Sequence, residues 1–274
     1  MGFNYIGVQE GIITNRFNIK LNLKYYATLR KKYEIIILWY HQIMPITQKE
    51  LNKYKTMISV ERLTAFIVGD NDSLDDVISR YKNNIKISQA LYPELSVLEV
   101  TLRNTINTML CSCISPTWLE DEINKQNLLL NHDYDILMKA YNDLQKEYPN
   151  KMFTIGQVIA KLNFGFWTNL CSKRYNAKIW TKKGCFKGVF VNYPKSQQQQ
   201  IHVLSVKLRS IRKLRNRIFH YEPIFKRPSA LLNMYNMILE ILSYLPCCDT
   251  SILKDTTTFL YVYNQLTKTT NKKT

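Results

Sequence analysis

The chain contains no Walker loop, no GxGxxG, no HExxH and no GxSxG. Their absence removes the common nucleotide-binding, zinc-protease and serine-hydrolase readings, because each chemistry needs its residues at a fixed spacing. Six cysteines stand at Cys111, Cys113, Cys171, Cys185, Cys247 and Cys248, none in a CxxC and none at zinc-finger distance from a histidine pair. No metal site is expected on that pattern, and no cofactor. No signal peptide is evident, so reduced thiols in a cytoplasm are the expectation. The apolar run Ile35-Ile36-Ile37-Leu38-Trp39-Tyr40 is far too short to span a bilayer. Acidic residues are few: 21 Asp and Glu face 38 Lys and Arg, for a formal charge of +17 and a pI near 9.5. That balance favours a polyanionic partner, either nucleic acid or an anionic membrane surface. An AT-rich genome accounts for part of the lysine excess but not for its clustering around Arg215.

What is present points to helices. The hydrophobic share is 46% over 274 residues, enough for a real core in one large domain or two small ones. Period-two strand patterns are nearly absent. Residues 1–43 show no clear helical period and read as an N-terminal extension. The core, or even the translation start, begins near Met44, or else the extension packs on the bundle; the residues leave both open. Thr47, with Glu50 as capping-box partner, predicts a short helix through Lys55. Ser59 predicts a helix from Val60 to Val68, stopped by Gly69. Ser73 opens one to Leu91, with Leu74, Val77, Ile78, Tyr81, Ile85 and Ser88 along one side. Pro93 begins the next, whose Leu95, Leu98, Leu102, Ile106, Met109 and Leu110 form a helical stripe.

Pro116 and Trp118 mark a connection, followed by helices near 128–147 and 155–172. The stretch 175–196, with Gly184, Gly188 and Pro194, should be partly irregular. Gln197 to Gln200 start a helix to about Tyr221, with Ile201, Leu204, Leu208, Ile211, Leu214 and Ile218 toward the core. Pro228 opens a helix to Leu245, and a last one covers roughly 250–267. The expected architecture is all-α, with residues 44–274 as one bundle-like domain.

The chemistry concentrates in Leu214-Arg215-Asn216-Arg217-Ile218-Phe219-His220-Tyr221-Glu222-Pro223. On a helix Asn216 and His220 are i and i+4 and share a face, with Arg215 about 100° round from Asn216. Cutting RNA without a metal needs such a set: a group titrating near neutrality for a ribose hydroxyl, a fixed cation for the phosphate, and an amide that positions both. Lys207, Arg209, Arg212, Lys213, Arg215 and Arg217 put six cations in eleven residues, which repel one another unless phosphate or carboxylates offset them. The competing reading is a solvated helix face. Glu222 stands close enough to orient Arg215, Arg217 or His220.

Glu99, Arg103 and Asn104 form a second polar island on the helix after Pro93. Glu99 and Arg103 are i and i+4, and pairing within that helix is the expected arrangement. The alternative is that these groups meet the Arg215–His220 helix end. Phe164, Phe166 and Trp167 could stack bases, though aromatics at helical spacing are more often core.

Leu91-Tyr92-Pro93-Glu94-Leu95 followed by Leu98-Glu99-Val100-Thr101-Leu102-Arg103-Asn104, together with the 214–223 segment, resembles the Abi-like (AbiD/AbiF type) abortive-infection family, which is similar to HEPN-domain proteins. The resemblance covers roughly Ile58 to Leu245, and residues 1–43 have no counterpart in it. The HEPN pattern of Arg, a polar residue, three others and His falls on Arg215, Asn216 and His220. What the resemblance implies is a HEPN-like helical bundle with additional helices, metal-independent endoribonuclease activity, and a homodimer that brings two motifs together. HEPN toxins silenced by nucleotidyltransferase partners carry a tyrosine two residues after the histidine. Here Glu222 stands there and Tyr221 comes one residue early, which argues against such an antitoxin. Some Abi-like proteins are associated instead with a small noncoding RNA, and the +17 charge suits an RNA partner. The implied function is a toxin or anti-phage ribonuclease. The competing classes are a non-catalytic RNA-binding module and a protein-interaction scaffold.

Overall fold

The computed structural model describes residues 53–54, 56–149, 151–194, 200–246 and 251–271. The N-terminal extension, the capped helix expected over 47–55, most of the glutamine run and the Cys247–Cys248 pair fall wholly or mainly outside them. The described residues are helical and contain no strand, so the chain is all-α.

α1 (Val60–Thr64) is capped by Ser59, whose side chain accepts from the Arg62 amide. It stops four residues earlier than Gly69 suggests. Asp72 takes the amides of Val68 and Gly69 at 2.6 and 3.0 Å, so these N–H groups bond a carboxylate rather than a helical carbonyl. α2 (Leu74–Ala90) begins with a complete capping box, Ser73 and Asp76 each serving the other's backbone. Its buried side is Leu74, Val77, Ile78, Asn84, Ile87 and Ala90, while Ile85 is 42% exposed. The inner face is therefore turned from the expected one, and it carries an asparagine.

α3 (Tyr92–Cys113) has Pro93 in its first turn and buries the whole stripe from Leu95 to Leu110. It is the central helix and packs against four others. α4 (Trp118–Asn124) occupies the segment expected to be a connection. α5 (Asn131–Glu147) starts three residues later than the periodicity suggests. The buried Glu122 carboxylate explains the delay: it accepts from the amides of Asn127, Leu128 and Leu129, fixing them outside a helix.

The single helix expected over 155–172 is two, α6 (Ile155–Lys161) and α7 (Phe164–Leu170). Leu162 is extended, and the Asn163 side chain accepts from the Phe166 amide at 3.0 Å, restarting the helix. A 3-10 turn (Lys173–Tyr175) and a π-helical turn (Asn176–Trp180) follow, then α8 (Cys185–Val189). A Cβ on Gly188 would lie 3.2 Å from Met109 Cγ, so glycine lets α8 lie close on α3. α9 (Ile201–Phe219) ends two residues before the expected Tyr221, the expected start at Gln197 lying outside the described residues, and α10 (Pro228–Tyr244) matches its expected span within one residue. The last expected helix is instead α11 (Ser251–Lys254) and α12 (Phe259–Asn271).

One buried cluster runs from Ile87 to Leu266 and includes Phe164, Phe166 and Trp167, each no more than 2% exposed. Those three rings are core, with Trp167 edge-on to Phe166 and Trp118, and offer no face to a base. A smaller cluster of Leu63, Phe66, Leu74, Val77 and Ile78 joins α1 to α2. No helix among the described residues is long and apolar enough to cross a membrane.

Candidate active site at the end of α9

α9 is amphipathic, with Ile201, Leu204, Leu208, Ile211 and Leu214 buried and Ile218 half-buried. It ends at Phe219, with His220 as the C-cap residue. The Glu222 amide returns to the Arg217 carbonyl at 2.9 Å and the Tyr221 amide to the Ile218 carbonyl at 3.0 Å. This is a Schellman closure, and it requires a left-handed residue at the position that Tyr221 fills with φ 57°. The closure halts the helix at Phe219, so that His220 completes the RN…H motif from the C-cap position. Asn216 and His220 are both exposed, with no side-chain hydrogen bond among the described residues.

Arg215 is held on two sides. Its Nε lies 3.4 Å from Glu99 Oε2, with both side chains about a quarter exposed. Its guanidinium carbon sits 4.2 Å from the centroid of the Phe219 ring, one turn on. Nε is buried without a hydrogen bond, so the ion pair constrains Arg215 without saturating it. The expected Glu99–Arg103 pair does not form: Arg103 Nε donates instead to Asn104 Oδ1 at 3.2 Å. Glu99 thus joins the motif, while Arg103 and Asn104 bond each other beside it.

Glu222 pairs with Arg217, at 3.3 Å from Nε, and Arg217 also donates to the Pro223 carbonyl. The carboxylate therefore braces the turn and contacts neither Arg215 nor His220. Two further residues hold this turn and have no motif signature. Arg62 Nη1 donates to the His220 carbonyl at 2.6 Å. Buried Asn84 donates to the Glu222 carbonyl at 3.1 Å and accepts from the Ile224 amide at 2.7 Å. An asparagine seven residues after Val77 on the inner side of α2 was the available signal for the second.

The cations of α9 do not form one strip. Lys207 pairs with Glu240 of α10 and is half-buried. Arg212 reaches into α7 and donates to the Gly165 carbonyl, Thr168 Oγ1 and Asn169 Oδ1 at 3.2, 3.2 and 2.6 Å. Burial, then the charge of Arg209, pushes Arg212 below the usual guanidinium range. Arg209 and Lys213 are exposed and have no acidic partner among the described residues.

This end of the molecule presents a guanidinium, an imidazole and a carboxamide at one helix terminus, with the guanidinium oriented from a second helix. Such a set can bind a phosphodiester, stabilise charge on it and exchange protons with a neighbouring hydroxyl. No family model matches the chain, and no curated protein or solved structure matches it either.

Proposed function

We propose that the chain is a metal-independent endoribonuclease of HEPN type, acting as a toxin or abortive-infection effector against phage. The observation that carries the reading is Arg215 fixed between Glu99 and Phe219, one turn from the solvent-facing His220. His220 takes or gives the proton of a ribose 2′-OH, Arg215 stabilises the phosphorane-like state, and Asn216 positions the phosphate or the imidazole. In-line attack of the 2′ oxygen breaks the P–O5′ bond and leaves a 2′,3′-cyclic phosphate and a 5′-OH. One imidazole cannot act as base and acid at once, so a homodimer with two motifs divides the roles. The work lies in the cytoplasm, on an RNA substrate, with a small noncoding RNA as the candidate inhibitor.

A second reading, an RNA-binding module without cleavage, draws support from one contact. Glu222 engages Arg217, and no described carboxylate orients the His220 ring. Incubating purified wild type and His220→Ala with RNA, each with and without chelator, separates the two. The ribonuclease reading expects chelator-resistant cleavage with cyclic-phosphate ends by wild type, and none by the variant at unchanged helicity. Full cleavage by His220→Ala, or loss of activity on chelation, overturns it. Binding without cleavage by both proteins establishes the module.

A further inference from the structure

A cavity of about 390 Å³ opens between α7, the 3-10 turn and the first half of α9. Lys173, Arg174, Arg209 and Arg212 bring four positive charges to its wall. Lys173, Arg174 and Arg209 are exposed and have no carboxylate partner among the described residues. Arg212 is different, because it is built in. Its guanidinium bonds Asn169 Oδ1, and Asn169 Nδ2 in turn donates to the buried Asp133 carboxylate at 2.8 Å. Tyr175 holds the other oxygen of Asp133 at 2.8 Å. Asp133 thus stands behind the wall with an amide between it and the cavity, and its charge offsets part of that of Arg212.

The cavity wall also contains an unspent polar group. Ser172 is one of the lining residues, and its Oγ, buried within the wall, has no hydrogen-bond partner. A buried hydroxyl in that state is destabilising unless something bonds it. The wall therefore has surplus positive charge and surplus hydrogen-bonding capacity.

We propose that this cavity is a binding pocket for a phosphate monoester. A monoester carries about −1.5 to −2 charge at neutral pH and three acceptor oxygens, where a diester within a chain carries a single charge. Guanidinium groups clasp such oxygens in pairs. The volume falls in the range of small-ligand sites, so the phosphate carries a further group such as a nucleoside. Two sources share this chemistry, a free nucleotide and the 5′ end of an RNA. Ser205, Arg209, Arg212 and Asn216 follow one stripe of α9 by their spacing of four, three and four. Eleven residues of helix separate Arg209 from His220, a rise of ~16 Å. Arg212 stands one turn before Asn216, so the pocket adjoins the motif along one helix with His220 at the far end, and the binding proposed for it does not depend on RNA cleavage.

The test is the full chain's thermal midpoint and calorimetric affinity with adenosine 5′-monophosphate, against adenosine and chloride at matched ionic strength. A shift with the monophosphate alone is expected, and Lys173→Ala/Arg174→Ala should weaken its binding at least tenfold. Both side chains are exposed, so an unchanged circular dichroism spectrum keeps that result interpretable. His220→Ala should bind the monophosphate as wild type does. A short RNA with a 5′-phosphate binding far more tightly than both its 5′-hydroxyl form and the free nucleotide assigns the source to RNA ends. Equal binding of nucleotide and phosphorylated RNA assigns it to free nucleotides. Equal responses to adenosine and its monophosphate overturn the pocket, as does wild-type affinity in the double variant. Wild-type RNA cleavage alongside either result leaves the ribonuclease standing alone.

Discussion

Arg62 and His220, 158 residues apart in sequence, are joined by a 2.6 Å hydrogen bond from a guanidinium to a main-chain carbonyl. The bond satisfies one of the carbonyls that every helix leaves open at its C-terminal end. It ties the place where α9 stops to α1. With Asn84 one step further along the same turn, the motif's exit is bound to α1 and α2 through its backbone alone.

Asn84→Ala should lower stability by about 1–3 kcal/mol, because it strands the buried Ile224 amide and the Glu222 carbonyl. Urea denaturation checks this: the midpoint should fall while the slope stays the same. A variant as stable as wild type would mean that water replaces both bonds.

Tyr221→Gly should stabilise the fold by about 1 kcal/mol, since φ 57° suits glycine and strains a residue with a Cβ. The thermal midpoint should rise by about 2–4 °C. A fall would show that the tyrosine side chain contributes more than its backbone costs.

Asp72 gives a pH signature. Hydrogen bonding from Arg80 holds its carboxyl down at about 2, against an ordinary value of about 3.9 when unfolded. A depressed carboxylate contributes stability above the unfolded value and loses it as pH falls through the folded one. Wild type should therefore exceed Asp72→Asn by about 1.5 kcal/mol at pH 6, and the gap should close between about pH 4 and pH 2. Parallel acid titrations of unfolding midpoints decide it, and a gap that persists to pH 2 refutes it.

If α9 binds RNA, its cations should count unequally. Lys213→Ala should flatten the log–log salt dependence by about 0.7, one single-strand phosphate contact. Lys207→Ala should leave the slope unchanged, because Glu240 already neutralises that ammonium. Equal effects from both would show that the Lys207–Glu240 pair opens on binding.

Much of this was legible locally. Ser73 and Asp76 are three residues apart, and the Leu95–Leu110 stripe repeats with the helix, so short-range spacing located both. The split at Leu162 also had a local signal, an asparagine before a phenylalanine, though unbroken periodicity obscured it. The site was legible only as a motif. Glu99 faced two cations, and the helix rule favoured Arg103 at i+4, whereas tertiary packing brought Arg215 to it. Lys207 and Arg212 looked alike on the chain, but their partners Glu240 and Asn169 lie 33 and 43 residues away. Charge in a sequence says nothing of which charges the fold has already engaged.

The bonds from Arg62 and Asn84 also set an order in time. The motif leaves the ribosome after both partners, and Asn84 waits 138 residues for Glu222. At about 5–20 residues per second that wait is roughly 7–28 s. Meanwhile α2 still lacks α12, the last described helix, which packs against it. Arg215, Asn216 and His220 are thus synthesised close together, yet their turn is tied to the rest of the fold from a part of the chain made long before. A chain beginning after Ala90 would carry the complete motif and neither Arg62 nor Asn84.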